Sequence, residues 1–272
     1  MWFDQRAGRV TASTFREAAR AENSSSLVKR VCYPRASHFS TEATRWGLQK
    51  EDTAREAYLM VMQDLHTDLQ VAASGLIINP ELPWIGASPD GVVTCACHAP
   101  GIFEIKCPFS AKDRALGECV KDSRFCLTDT KEGGRTLKED HGYMYQVQAQ
   151  MRVAEVQYCD FVVWTPQELF IQRIESDRTF FDDAYLRVVN FIRTGILPEL
   201  LGKWFTVPRL SPTSTSENTP EGCYCGMPAG NPDNVLSCIS KRCKRKNFHK
   251  SCLKLSRIPK RWLCLECKKQ TK

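Results

Sequence analysis

Two carboxylates and one lysine are spaced so that they could hold a metal ion beside a phosphate. Asp90 lies in a Ser-Pro-Asp-Gly turn, and Glu104-x-Lys106 follows fourteen residues later. If residues 103–106 form a strand, Glu104 and Lys106 point to one face and the residues between them face the core. Mg²⁺ prefers oxygen ligands, and the ammonium could orient or activate an attacking water. This spacing predicts the chemistry of a metal-dependent phosphodiesterase.

Each half of this pattern also has an ordinary structural explanation. Pro-Asp-Gly is a common turn, and an acidic residue two positions before a lysine is a common surface pair on a strand. However, residues 91–93 and 101–103 predict two strands joined by a short loop, which would hold the charges at fixed positions. The combined pattern favours the nuclease interpretation.

Polar residues on two predicted helices could complete such a site. Glu51 lies on the same helical stripe as Ala54 and Tyr58. Its side chain either lies on a solvated edge of the helix or acts as a further ligand for metal or water. Gln146 and Gln150 share a face of a later helix and present the same two alternatives.

The periodicity of apolar residues predicts the elements that must position these side chains. Helices are expected at 15–19, 46–62 (after Thr41 or Thr44), 143–153 and 180–196, the last ending at Gly195 and Pro198, and strands at 159–164 and 169–174. Together with the paired strands around Asp90, this order predicts an α/β fold with a mixed sheet.

Cysteine spacing and charge divide the chain into two parts. Seven of the 14 cysteines are irregularly spaced before residue 160, and seven are regularly spaced between 223 and 267. Residues 207–221 are dominated by Pro, Ser, Thr and Asn, which is typical of a linker. We therefore expect a domain at 1–206, a flexible linker at 207–221 and a small module at 222–269.

The small module is strongly basic. Residues 222–272 contain 13 Lys and Arg against two acidic residues, a net charge of +11, whereas the rest of the chain carries −4. Seven thiolates and two Zn²⁺ would leave it at +8. Such a charge suits a polyanion, although a charge run is more often only a solvated face.

Some classes of protein are excluded. No stretch approaches 18 apolar residues and the N-terminus lacks a signal-peptide pattern, so we expect an intracellular protein with no membrane partner. In a reducing compartment, metal sites are favoured over disulfides. Cys95-Ala96-Cys97-His98 lies in the loop between the paired strands. The sequence offers no second pair of ligands to complete a metal site with it, so we expect a loop without metal there.

The small module carries enough soft ligands for two tetrahedral Zn²⁺ sites. The alternative, that these cysteines are buried unpaired thiols, is the weaker explanation. A module of about 50 residues cannot build a sufficient hydrophobic core without a crosslink such as a bound metal. The ligands are Cys223, Cys225, Cys238, Cys243, His249, Cys252, Cys264 and Cys267.

Five motifs occur in an order that resembles the lambda-exonuclease and YqaJ-type viral recombinase family. They are R-x-G-x-x-T-A-S at 6–13, Trp-Gly through Glu51, S-P-D-G, E-I-K-C-P-F and Y-M-x-Q-V-Q, and the match spans residues 2 to about 164. The resemblance implies a restriction-endonuclease-like core, of PD-(D/E)XK type, with a mixed central sheet flanked by helices. It also implies metal-dependent digestion of double-stranded DNA from a 5′ end.

The resemblance assigns a role to each matching residue. Asp90, Glu104 and the Ile105 carbonyl are implied as ligands of Mg²⁺ or Mn²⁺, and Lys106 as the residue that positions the water. Glu51 is implied as the outer carboxylate on the helix. Gln146 matches the glutamine that supports the site.

Three further positions match residues that receive the terminal phosphate of the DNA. They are Arg6, Ser13 and Lys112, but Lys112 stands where the related enzyme has arginine. Lysine lacks the bidentate fork of arginine, so recognition of a 5′-phosphate is less expected than cleavage itself. Relatives can form rings, so the resemblance also admits a homo-oligomer.

The small module resembles a PHD-type zinc finger with a cross-brace. The order Cys₄-His-Cys₃, with Trp262 two residues before Cys264, carries this resemblance. It implies that Cys223, Cys225, His249 and Cys252 bind one Zn²⁺ and that Cys238, Cys243, Cys264 and Cys267 bind the other.

The finger departs from those that read methyl-lysine. Asn247 stands where they carry a cage tryptophan, and the basic run 241–246 should repel a histone tail and attract phosphate. We therefore expect a nonspecific DNA tether, with chromatin or a histone tail as the weaker partner and the nucleus as its location. The rival interpretation is a noncatalytic DNA or chromatin adaptor whose finger reads a protein tail.

Overall fold

The computed structural model describes residues 2–21, 24–36, 40–206, 223–224, 235–253, 259 and 261–269. The chain divides into two compact units, Met1–Val207 and Pro208–Lys272.

The first unit combines helices and strands along its whole length. Its helices are α1 (Trp2–Arg6), α2 (Phe15–Arg20), α3 (Ser25–Cys32), α4 (Glu42–Leu65), α5 (Leu116–Cys119), α6 (Gly142–Ala154), α7 (Arg178–Phe191) and α8 (Leu197–Gly202). Its strands are β1 (Val10–Thr11), β2 (Gln70–Ala72), β3 (Ile85–Gly86), β4 (Gly91–Thr94), β5 (Gly101–Lys106), β6 (Leu127–Asp129), β7 (Arg135–Leu137), β8 (Tyr158–Trp164) and β9 (Leu169–Glu175). Short 3₁₀ turns cover Ala12–Thr14 and Phe109–Ala111, and a π-helical turn covers Ile192–Ile196.

A five-stranded sheet in the order β2-β4-β5-β8-β9 forms the centre of this unit. The pair β5 and β8 is parallel, and the other neighbours are antiparallel. A parallel pair needs a crossover connection, and here it runs through α5, the β6–β7 hairpin and α6. The predicted α/β fold with a mixed sheet flanked by helices is confirmed.

The sheet lies between α4 and α6, and β5 alternates between the two faces as predicted. Phe103 and Ile105 are buried in the cluster that contains Tyr58 of α4. On the other face, Ile102 belongs to the cluster that contains Val147 of α6. Glu104 is therefore turned toward α6, which brings a carboxylate into an otherwise apolar layer.

The helix that carries Glu51 begins earlier than the apolar pattern predicts. It starts at Glu42, and the Thr41 hydroxyl caps it by accepting a hydrogen bond of 3.1 Å from the Thr44 backbone N–H. The cap was among the two predicted positions, but the apolar periodicity marks only the buried part of the helix.

The predicted end of the last long helix at Gly195 and Pro198 is wrong. The chain remains helical through Ile192–Ile196 and continues directly into α8. Pro198 lies in the first turn of α8, a position that tolerates proline.

The described residues of the second unit form a small antiparallel pair of strands and two short helices. These are β10 (Val235–Ser237), β11 (Asn247–His249), α9 (Lys250–Leu253) and α10 (Leu265–Lys269). Phe248 is fully buried, with its ring 5.0 Å from that of Trp262. The expected linker, 207–221, lies outside the described residues. None of the described helices combines the length and apolarity needed to cross a membrane.

Candidate active site

Asp90 is fixed at the point where the turn enters β4. Its backbone N–H donates to the Phe103 carbonyl at 3.1 Å, and its Oδ2 accepts a hydrogen bond of 2.6 Å from the Ile105 N–H. Both contacts are made by β5, so the register of this hairpin sets the position of the carboxylate relative to Glu104.

Glu104 is buried and accepts hydrogen bonds on both carboxylate oxygens. Lys106 Nζ lies 2.6 Å from Oε1, which also accepts from Gln146 Nε2. Gln150 Nε2 donates to Oε2 at 2.7 Å. Lys106 Nζ lies in addition 4.6 Å from the centre of the Tyr143 ring. The carboxylate and the ammonium are thus held in one arrangement by α6.

Burial and neighbouring charges shift the pKa values of Asp90 and Lys106. Burial first, and then the neighbouring Glu104 carboxylate, raise the pKa of Asp90 to about 7. Burial alone would lower the pKa of Lys106, but the Glu104 carboxylate raises it above its ordinary value. Lys106 is therefore a permanent cation at neutral pH, suited to orienting a water rather than to accepting its proton.

Glu51 reaches the same site from the opposite face of the sheet. Arg55, one turn further along α4, pairs with Glu51 Oε1 at 3.0 Å and donates to the Asp90 carbonyl at 3.1 Å. The structure thus places Glu51 beside the two carboxylates, and not on a solvated helix edge away from them.

These side chains line one open cavity of about 710 Å³. Its walls include Glu51, Asp90, Glu104, Ile105, Lys106 and Tyr143. Carboxylates crowded together with a backbone carbonyl are the hard oxygen donors that Mg²⁺ selects, and a divalent cation would relieve the repulsion that raises the Asp90 pKa. The donor set therefore fits the predicted metal.

The sequence match decides the family. Residues 1–157 match the YqaJ-like viral recombinase domain. This chain belongs to that family. No curated protein sequence matches it.

Solved structures resemble the YqaJ-like protein over most of its length. The alkaline exonuclease LHK-Exo from Laribacter hongkongensis is 26% identical, with a TM-score of 0.53, 72% of this chain covered and 93% of that chain covered. The structure of LHK-Exo in complex with dAMP gives 27% identity and a TM-score of 0.54, with 74% of this chain covered and 97% of that chain covered. A phage-related exonuclease from Haemophilus somnus 129PT is 14% identical, with a TM-score of 0.48, 70% of this chain covered and 94% of that chain covered.

The three predicted phosphate-binding residues of the YqaJ-like domain do not line the cavity. Arg6 lies over the ring of Trp2, 4.2 Å from its centre. Ser13 lines a separate cleft of about 630 Å³ together with Arg16. Lys112 lies 4.4 Å from the centre of the Phe109 ring, next to the cavity wall. Their role in receiving a phosphate remains a prediction.

Sequence reasoning did not assign Gln150, Arg55 or Tyr143 to the site. Gln150 was noted only for sharing a face with Gln146, and this i, i+4 spacing was the available signal. The i, i+4 spacing of Glu51 and Arg55 was likewise available as a signal for their pairing. The contacts of Arg55 with the Asp90 carbonyl and of Tyr143 with Lys106 have no local signal, because they depend on how α4 and α6 lie across the sheet.

In the second unit, the described ligands form two groups. The sulfur atoms of Cys238, Cys243, Cys264 and Cys267 lie within 4.8 Å of one another, and so do the ligand atoms of Cys223, His249 and Cys252. This grouping agrees with the interleaved pairing implied by the PHD-type resemblance. Cys225 lies outside the described residues. Four soft ligands in one group suit a tetrahedral Zn²⁺.

Cys95 and Cys97 lie in a loop, as expected, and a histidine that the sequence did not associate with them lies beside them. His66, which follows the last residue of α4, contributes a ring nitrogen within 4.8 Å of both sulfur atoms. Sequence spacing could not reveal this contact because His66 lies 29 residues before Cys95.

Proposed function

We propose that the YqaJ-like domain is a nuclease, a phosphodiesterase acting on DNA, and more specifically a Mg²⁺-dependent exonuclease that degrades double-stranded DNA from its 5′ ends. Membership of the YqaJ-like family supports the proposal, as does the likeness to the LHK-Exo alkaline exonuclease. One observation carries it: Asp90, Glu104 and Lys106 converge on one cavity, with Glu51 at its wall.

In this proposal Asp90, Glu104 and the Ile105 carbonyl hold the metal. The bound Mg²⁺ would offset the charge that develops on the phosphate and lower the pKa of a coordinated water. Lys106 orients the water with a fixed positive charge. Gln146 and Gln150 position Glu104, and Arg55 positions Glu51.

The basic finger acts as a DNA tether in this proposal. Lys241, Arg242, Lys244 and Lys246 are exposed, whereas Asn247 accepts a 2.8 Å hydrogen bond from Ser237 at the position where an aromatic cage residue would be needed. Exposed cations favour a phosphate backbone over a basic histone tail. A DNA substrate in a eukaryotic host would place the protein in the nucleus.

The catalytic proposal is tested with purified full-length protein and linear or covalently closed duplexes. We expect Mg²⁺-dependent digestion of linear DNA, release of a 5′ label before a 3′ label, and intact circles. Asp90→Asn and Lys106→Met should each lower the rate by about 100-fold or more. Asp52→Asn and Lys121→Met alter exposed residues of the same types and should retain the rate. Undiminished digestion by either site variant would contradict the assignment, and cleavage of circles would contradict an exonuclease.

The tether is tested by charge reversal at Lys244 and Lys246. The double variant should bind duplex DNA more weakly, with the slope of log affinity against log salt smaller by about two. A matched variant reverses Lys29 and Lys131, which are exposed in the first unit. Tight binding of a trimethyl-lysine histone peptide, with DNA affinity unchanged by the reversal, would support the adaptor function instead.

A further inference from the structure

A cluster of cysteine and histidine side chains lies at the end of the sheet opposite to Asp90. Cys95 and Cys97 belong to the loop between β4 and β5, and His66 directly follows Leu65, the last residue of α4. A strand rises about 3.3 Å per residue, so the four steps from Asp90 to Thr94 separate this cluster from the catalytic residues by about 13 Å. The two groups of residues are therefore distinct.

The ligand atoms of the cluster already converge. Cys95 Sγ lies 3.9 Å from His66 Nδ1, and the ligand atoms of His66, Cys95 and Cys97 all lie within 4.8 Å of one another. In a tetrahedral Zn²⁺ site with S and N ligands, bond lengths of about 2.0–2.3 Å place neighbouring ligand atoms about 3.3–3.8 Å apart. Only a small contraction separates the cluster from that geometry.

His98 lies beside Cys95, outside the group of three whose ligand atoms lie within 4.8 Å of one another, and would supply the fourth ligand after a change of its side-chain rotamer. Its Nε2 lies 3.7 Å from Cys95 Sγ, and its Nδ1 lies 3.2 Å from the Ala99 carbonyl. A histidine that binds metal through one nitrogen commonly donates the other N–H to a carbonyl. Arg173 Nη1 lies 3.1 Å from His98 Nε2, and its rigid guanidinium is held on Asp160 through Nε and Nη2, so the His98 ring would have to turn away from Arg173 to bind the metal.

The backbone holds the loop against the end of the helix. The Ala96 N–H donates to the Thr67 carbonyl at 2.9 Å, and the Thr67 N–H donates to Cys97 Sγ at 3.2 Å. An N–H donor to sulfur is a contact that supports a metal-bound thiolate. The one-residue spacing of these cysteines also recurs in Cys223-x-Cys225 of the finger.

We propose that His66, Cys95 and Cys97, with His98, bind a structural Zn²⁺ that fastens the end of α4 to the loop between β4 and β5. Two sulfur and two nitrogen ligands select Zn²⁺ over Mg²⁺. The metal would tie the helix that carries Glu51 and Arg55 to the strands that carry Asp90 and Glu104. This proposal does not depend on the nuclease function, because it concerns metal content and cysteine reactivity.

The first test uses the wild-type full-length chain, loaded with zinc, and alkylation of cysteines resolved by peptide mass spectrometry. Cys97 is exposed and should be alkylated about tenfold faster after a zinc-selective chelator is added in the presence of Mg²⁺. Cys107, half-buried in the same unit, should keep its rate. Equal rates for Cys97 with and without the chelator would overturn the proposal.

The second test measures zinc content. Cys97→Ala should hold one zinc equivalent fewer per chain than the wild type, and Cys119→Ala, a cysteine of the same unit outside the cluster, should hold the same number as the wild type. Equal zinc in the wild type and a folded Cys97→Ala would overturn the proposal. If Cys97→Ala does not fold, the alkylation rates of wild-type Cys97 decide whether the proposal holds.

Discussion

Gln150 Nε2 donates a 2.7 Å hydrogen bond to Glu104 Oε2, and both side chains are buried. Gln146, one helical turn earlier, donates to the other oxygen of the same carboxylate. Two amides from a single helix therefore fix the orientation of Glu104, while Lys106 supplies its counter-charge. The site is positioned as much by α6 as by the sheet.

Gln150→Ala should lower nuclease activity about 10- to 100-fold, because Glu104 loses the donor that fixes Oε2. The turnover number and the Mg²⁺ concentration for half-maximal rate are measured together. Gln148→Ala is the matched control, since Gln148 is buried on the same helix but donates to the Glu175 carbonyl. An equal loss in both variants would indicate damage to the helix instead of to the site.

The Mg²⁺ affinity of the DNA-free protein should rise with pH. Since the pKa of Asp90 is raised to about 7 without metal, a proton competes with the ion below pH 7 and is absent well above it. The apparent dissociation constant should fall about tenfold between pH 6 and pH 8. Titration with Mn²⁺, followed by electron paramagnetic resonance of the free ion, measures this without catalysis. A pH-independent constant would contradict the assigned role of Asp90.

Tyr58→Phe should destabilise the fold. The Tyr58 hydroxyl of α4 donates to Asp160 Oδ2 of β8 at 2.9 Å, and both side chains are buried between the helix and the sheet. Removing the donor should lower the free energy of unfolding by about 1–3 kcal/mol. Chemical denaturation measures the change. Tyr185→Phe, at a partly buried tyrosine packed on a different cluster, should change stability much less.

Gly91→Ala should lower both stability and activity, because the glycine of the S-P-D-G motif is required by close packing. An added Cβ would overlap the Phe103 ring and lie 2.7 Å from the Ala72 carbonyl. Overpacking of this kind costs about 1–3 kcal/mol and would displace the adjacent Asp90. The melting temperature and the nuclease rate of the Gly91→Ala variant test this prediction. Gly75→Ala, where an added Cβ meets nothing within 4 Å, should be neutral in both measurements.

The local pattern of the chain determined several features. The strand alternation around Glu104, the turn that carries Asp90 and the helices of Glu51 and Gln146 follow from periodicity and turn chemistry, which act over a few residues. The regular spacing of the seven C-terminal cysteines marked a separate cysteine-rich module, but the grouping of its described cysteines and His249 into two sets is a property of the tertiary structure. The end of the last helix was mispredicted because Pro198 suits the start of a helix as well as a break.

Only the tertiary structure decided which distant residues meet. The sequence by itself determined the acids, the lysine and the sulfur and nitrogen ligands, together with the faces on which they lie. The bond from Arg55 to the Asp90 carbonyl, the second amide on Glu104 and the approach of His66 to Cys95 depend on the order of the strands and on the helices packed across them. Those contacts join segments far apart in the chain, where local periodicity carries no information about distance.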